Sequence, residues 1–316
     1  MAHSQKSIYS ALLANVLIAI TKFIAGAFTN SASMISEGIH STVDTVNQLL
    51  LLYGIKRSKK PADKYHPFGY GKELYFWSFI VSILIFGLGG GLSVYQGIQH
   101  MIHPEPMGDP TWNYVVLVLS FIFEGSSLII AVREFNALRG DKPMWQAIVG
   151  SKDPSSFLVL FEDGAAVLGL VIVFVLMQLS HALNLPVLDG LASLLVGLLL
   201  IFVSLILARE SRSLLMGEGI AMDTQRKIIA LAEEDPAVMK VISVLSTYQS
   251  PDDVVLVLVV HFKAGLETED ITDTIERVAG NIRKQYERVH YVLIQPQSPI
   301  KKSLPEGSDR DYNTFG

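Results

Sequence analysis

Residues 36–48, SEGIHSTVDTVNQ, stand between apolar runs and look like part of a helix that belongs in hydrocarbon. Glu37, His40, Asp44, Asn47 and Gln48 recur at spacings of three and four, so they share one helical face. An ionisable side chain at membrane depth costs about 2.5–3.5 kcal/mol on insertion scales, and such residues mark functional sites by default. Whether this helix lies in a membrane is decided by the rest of the chain.

The chain has 316 residues, half of them hydrophobic and 17% charged, against about a quarter charged in a typical soluble protein. Apolar runs long enough to span a bilayer occur at about 7–29, 32–56, 73–100, 112–134, 156–180 and 187–208. Their connections separate by charge. Lys56, Arg57, Lys59, Lys60, Lys64 and Lys72 follow the second span; Arg139, Lys142 and Lys152 follow the fourth, with Arg133 at its edge. Lys6 precedes the first, and Arg209 and Arg212 follow the sixth. The loops TNSA, HMIHPEPMGDPT and SHALNLP hold no Lys or Arg. The alternation supports six spans with both termini cytosolic. The first run leads straight into further spans, so no cleavable leader is expected. There is no cysteine, which excludes disulfides and thiolate metal sites. The net charge of −5 gives no sign of a nucleic-acid partner.

After residue 208 the pattern becomes that of a soluble domain. Residues 223–234 read as an amphipathic helix, and 238–249 and 254–263 as strands joined by SPDD. Ile271, Ile275, Val278 and Ile282 fall on one face of a second helix, with acids early and bases late, and HYVLIQPQ reads as a closing strand. The expected fold is an α-helical membrane protein: a six-helix transmembrane domain over 1–208, and a small cytosolic α+β domain of order α-β-β-α-β (ferredoxin-like) over 209–300. A polar, disordered tail over 301–316 completes it.

His40 and Asp44 lie near the middle of the second span. LVLFEDGAAVLGL puts Glu162 and Asp163 at mid-depth in the fifth, and Glu124 is central in the fourth. One imidazole with two or three carboxylates suits a divalent transition metal, Zn²⁺ in particular; the same set would serve a proton relay or helix–helix hydrogen bonding. Glu162 and Asp163 are about 100° apart on a helix, so one of them points fully at the site. Glu37 and Lys22 are placed to pair across helices, with Glu37 as a metal ligand the alternative. The chain contains no H-E-x-x-H, which argues against a membrane-embedded metalloprotease, and six spans are more than a sensor needs.

HSTVD preceded by NSASMISEG and followed by DKYHPFGYGK resembles the cation diffusion facilitator family, and HPFGYGKEL with FEDGAAVLG is most similar to its zinc-transporter-nine branch. The resemblance covers roughly residues 7–297. It implies a homodimer that exchanges a divalent metal ion for protons, with no tightly bound cofactor and no enzymatic activity. It assigns the membrane metal site to His40, Asp44 and Asp163, with Val159 where a fourth ligand is expected and Glu162, Glu124 or water to fill that place. It also implies a loop site, for which Asp63 and His66 match but Tyr70 replaces a histidine. In the cytosolic domain His261 matches a ligand, whereas Gln295 and Gln297 stand where stronger ligands are expected, and His290 reads as a surface residue. The expected function is proton-driven Zn²⁺ export from the cytosol, with Mn²⁺, Fe²⁺ or Co²⁺ as the alternative ion. The expected location is a bacterial inner membrane.

Overall fold

The computed structural model describes residues 2–104, 111–139, 143, 144, 147 and 151–298. The tail from Lys301 and the loop residue Lys142 lie outside these. The chain divides into two compact units, residues 1–218 with 249–251, and residues 219–248 with 252 onward.

The first unit is helical. Its described elements are α1 (Ala2–Thr29), α2 (Ala32–Ser58), α3 (Glu73–Leu84), α4 (Leu92–Ile102), α5 (Thr111–Arg139), α6 (Pro154–Leu183) and α7 (Val187–Met216). α3 and α4 form one span joined by a π-helical turn, Ile85–Gly91. Among the described residues four spans are long and apolar enough to cross a membrane on composition alone: 73–102, 111–137, 157–183 and 187–216. α1 qualifies only as a shorter apolar helix, Asn15–Thr29, and α2 carries the polar stripe that lowers its hydropathy. Large apolar side chains such as Phe121, Ile122, Leu198 and Phe202 face outward, as lipid-facing positions require.

The span α3–α4 packs against α7 along a glycine seam. Gly90 and Gly97 on one side meet Gly197 and Gly190 on the other. A Cβ on Gly97 would come within 2.5 Å of the Leu194 amide nitrogen and 2.7 Å of the Gly190 carbonyl oxygen. The missing side chains let the two backbones touch, which is how small residues serve helix association in lipid. At the end of this seam Asp189, fully buried, accepts hydrogen bonds from Ser31 Oγ at 2.9 Å, the Ser33 amide at 3.2 Å and the Ser33 hydroxyl. Ser31 also caps α2 by accepting from the Met34 amide. The first turn of α2 is thereby tied to α7.

The second unit follows the order α8 (Met222–Glu233), β1 (Val238–Ser250), β2 (Asp253–Phe262), α9 (Thr268–Gln285) and β3 (Val289–Pro296). Its sheet is ordered β1-β2-β3, with β2 and β3 parallel from Val254↔Val289 onward. A parallel neighbour needs a crossover, which α9 supplies. α9 starts with a reciprocal capping box between Glu267 and Asp270. The core joins Ile228 and Ala232 of α8, Leu256, Leu258 and Val260 of β2, and Val278 and Ile282 of α9. Ile271 and Ile275 pack at its edge. Asp235 and Arg277 form a two-pronged pair, Nε at 2.6 Å and Nη2 at 3.0 Å, and the guanidinium holds the Asp235 carboxyl below its ordinary range.

Candidate transport site

On α2 the buried stripe is polar: Ser36, Glu37, His40, Ser41, Asp44 and Asn47 are all enclosed. Their spacing keeps them on the side that packs against α1, α6 and α7. A cavity of about 420 Å³ opens among α1, α2, α5 and α6. Ser41, Asp44 and Gln48 line it from α2, Glu124 and Ser127 from α5, and Val159, Glu162 and Asp163 from α6. The lining stretches of α2, α5 and α6 run from mid-helix toward the ends that bear the Lys- and Arg-rich connections.

Asp44 of α2 and Glu162 of α6 line this one cavity from opposite helices. Carboxyls gathered around one buried cavity favour a proton or a cation among them. Asn47 Nδ2 donates to Glu162 Oε1 at 2.5 Å and fixes that side chain toward α2. Asp163, on the neighbouring position of the turn, instead accepts from Ser127 Oγ of α5 at 2.7 Å. The adjacent acids therefore diverge, one to α2 and one to α5, while both line the cavity. Behind Asp44 is His40, 2% exposed, with Nδ1 3.4 Å from Asp44 Oδ1 and neither ring nitrogen hydrogen-bonded. An imidazole lone pair held uncommitted beside a carboxylate suits ligation of a borderline divalent ion. Among the described residues no three His, Asp or Glu side chains converge into a ready-made metal centre. His40, Asp44, Glu162 and Asp163 thus share one region without forming a closed shell.

Farther along α2, Lys22 and Glu37 pair at 3.0 Å, both fully buried, as the sequence suggests. Glu124 lies 4.0 Å from the same ammonium.

The other expected ligands fall elsewhere. Asp63 is held by the Tyr70 hydroxyl at 2.6 Å, by the amides of Tyr65 and His66 at 2.9 and 2.8 Å, and by Lys60 at 3.5 Å. These bonds, the Tyr70 hydroxyl foremost, keep its carboxyl well below the usual carboxylate range. His66 Nδ1 is 3.3 Å from Asp63 Oδ1, with its ring against Tyr70. Tyr70 and Lys60 occupy the carboxylate in a turn that organises the loop. His261 is half-buried on β2. Gln295 is exposed on β3, and the Gln297 amide donates to the Val260 carbonyl at 2.9 Å. His290 is exposed and bonded to Asp253 at 3.1 Å.

Sequence reasoning placed Asn47 on the polar face but gave it no partner, gave Ser127 no role and overlooked Asp189. The signals were an Asn one turn beyond Asp44, a Ser beside Glu124, and a lone acid at the head of an apolar run.

Residues 8–216 match the cation efflux transmembrane domain. The mitochondrial proton-coupled zinc antiporter SLC30A9 of Homo sapiens is 38% identical over 244 residues, which are 77% of this chain and 43% of that protein. Metal tolerance protein C4 of Arabidopsis thaliana is 33% identical over 238 residues, 75% of this chain and 52% of that one. A nickel form of a MamM CTD variant covers 25% of this chain and 100% of its own, at 18% identity and a TM-score of 0.24. The fold and site define an integral membrane protein with a polar cavity among its helices. The chain belongs to the cation diffusion facilitator family, a family of metal cation transporters and not of enzymes. It spans about half the length of these curated relatives.

Proposed function

We propose that the protein exports Zn²⁺ from the cytosol in exchange for protons. The observation that carries this reading is the cavity lined by Asp44, Glu162 and Asp163, with His40 directly behind Asp44. The Lys- and Arg-bearing loops lie on the side toward which the cavity extends, so by the positive-inside rule it faces the cytosol. On this reading Zn²⁺ enters the cavity and displaces protons held by its carboxyls, Asp44 and Glu162 among them. It binds the neutral His40 imidazole and the Asp44 carboxylate, with Glu162 or Asp163 completing the donors. Protonation of the same groups from the opposite side expels the ion, because protons and metal compete for one set of lone pairs.

The domain over 1–208 is the transport unit. The domain over 209–300, with an α-β-β-α-β order, is assigned to dimerisation of two chains. Both termini are cytosolic, and the setting is an energised membrane of the bacterial inner-membrane type. A second reading has one specific observation in its favour: Val159 lines the cavity where a further ligand is expected. That leaves an oxygen-rich donor set that also suits Mn²⁺, Fe²⁺ or Co²⁺.

The test is metal uptake into proteoliposomes under an imposed pH gradient, comparing Zn²⁺ with Mn²⁺ while internal pH is recorded. Zn²⁺ movement with opposite proton flux is expected, and Asp44→Ala should abolish it in assembled protein. Full flux in Asp44→Ala, or metal flux without protons, would refute the mechanism. A clear Mn²⁺ preference would select the second reading.

A further inference from the structure

Lys22 is a fully buried ammonium among the carboxylates of the cavity region. Its Nζ donates to Glu37 Oε2 at 3.0 Å and to Ser41 Oγ at 2.8 Å, and lies 4.0 Å from Glu124 Oε1. Ser41 and Glu124 both line the cavity, so the ammonium sits immediately behind its wall. Glu37 is one helical turn from His40, and its second oxygen, Oε1, is buried with no hydrogen-bond partner. An ion pair needed only to pin α1 to α2 has no use for a second carboxylate reaching in from α5. Here one cation answers acids from two helices, which is the work a bound metal would otherwise do.

We propose that Lys22 is a specificity-determining residue: a tethered ammonium that withholds Glu37 and Glu124 from the transported ion. With both acids engaged, the cargo meets His40, Asp44 and the Glu162/Asp163 pair, a small nitrogen–oxygen set suited to a four-coordinate ion such as Zn²⁺. With Lys22 neutralised, Glu37 and Glu124 add carboxylate oxygens. The site then favours ions that take six or more oxygen ligands, Mn²⁺ first and Ca²⁺ or Mg²⁺ beyond it. The inference rests on the transport reading for its cargo, but its first readout is binding.

The experiment measures competitive Zn²⁺ and Mn²⁺ binding to purified full-length protein in detergent, then uptake into proteoliposomes. Lys22→Met should raise the Mn²⁺-to-Zn²⁺ binding ratio at least tenfold. Lys22→Gln keeps a hydrogen-bond donor toward Glu37 and Ser41 but loses the charge, so it should shift the ratio the same way. It serves where the Met variant fails to assemble. Adding Glu37→Gln to either variant should bring the ratio back toward wild type, and Glu124→Gln should do so in part. A residue that merely anchors α1 would lower stability and leave the ratio in place. An unchanged ratio in an assembled Lys22 variant, or a raised ratio that persists after Glu37→Gln, would overturn the proposal. Wild-type protein that binds Zn²⁺ but does not move it would refute the transport reading and leave the binding ratios to decide this one.

Discussion

Gly97→Ala tests whether the contact between α4 and α7 is as close as the structure has it. The added Cβ would lie 2.5 Å from the Leu194 amide nitrogen and 2.7 Å from the Gly190 carbonyl oxygen. The first distance is about 0.9 Å short of ordinary van der Waals contact, and both neighbours are backbone, so no side chain can rotate away. Overpacking of this kind costs about 1–3 kcal/mol, offset by the roughly 0.5–1 kcal/mol that alanine gains over glycine inside a helix. Gly125→Ala in α5 is the control, because a Cβ there meets nothing within 4 Å. It should show the helical gain alone. The two variants should therefore differ by about 1–3 kcal/mol in favour of Gly125→Ala. Reversible SDS unfolding followed by Trp fluorescence would measure the gap. Gly90→Ala, whose Cβ would come 2.5 Å from Ile201 Cγ1 and 3.0 Å from the Gly197 carbonyl oxygen, should fall on the same side as Gly97→Ala. Gly97→Ala as stable as Gly125→Ala would refute the backbone contact and the route by which α4 fixes α7.

Two further outcomes are expected. Asp189→Ala leaves the Ser31 and Ser33 hydroxyls and the Ser33 amide without their buried acceptor, and should lose about 2–4 kcal/mol by the same unfolding assay, with Asp189→Asn losing less. In the small domain, the depressed Asp235 carboxyl contributes stability that is present above the unfolded aspartate value of about 3.9 and is lost as pH falls below it. Hydrogen exchange in α9 should speed up through that window, and Asp235→Asn should remove about 1–2 kcal/mol at neutral pH together with the pH dependence, since Arg277 is half-exposed.

Much of this protein is written locally in its sequence. Apolar runs separated by charged or uncharged loops define spanning helices, because the bilayer sets both their length and the sorting of Lys and Arg. The α-β-β-α-β domain follows from periods of 3.6 and 2, with turn and cap residues between them. His40 and Asp44 are legible because three- and four-residue spacing on one helix is a local fact, and so is the polar face that Glu37 and Asn47 share with them. What tertiary structure alone decided is where side chains from different helices meet. Glu162 and Asp163 are neighbours in sequence, yet packing sends one to Asn47 on α2 and the other to Ser127 on α5. Asp189 acquires its role only when α7 docks on the first turn of α2. Lys22, legible as a partner for Glu37, comes within reach of Glu124 only because α5 packs against α1. Such partners are set by helix rotation and by the approach that the glycine seam allows, and rotation about a helix axis leaves no mark on the spacing within any single helix.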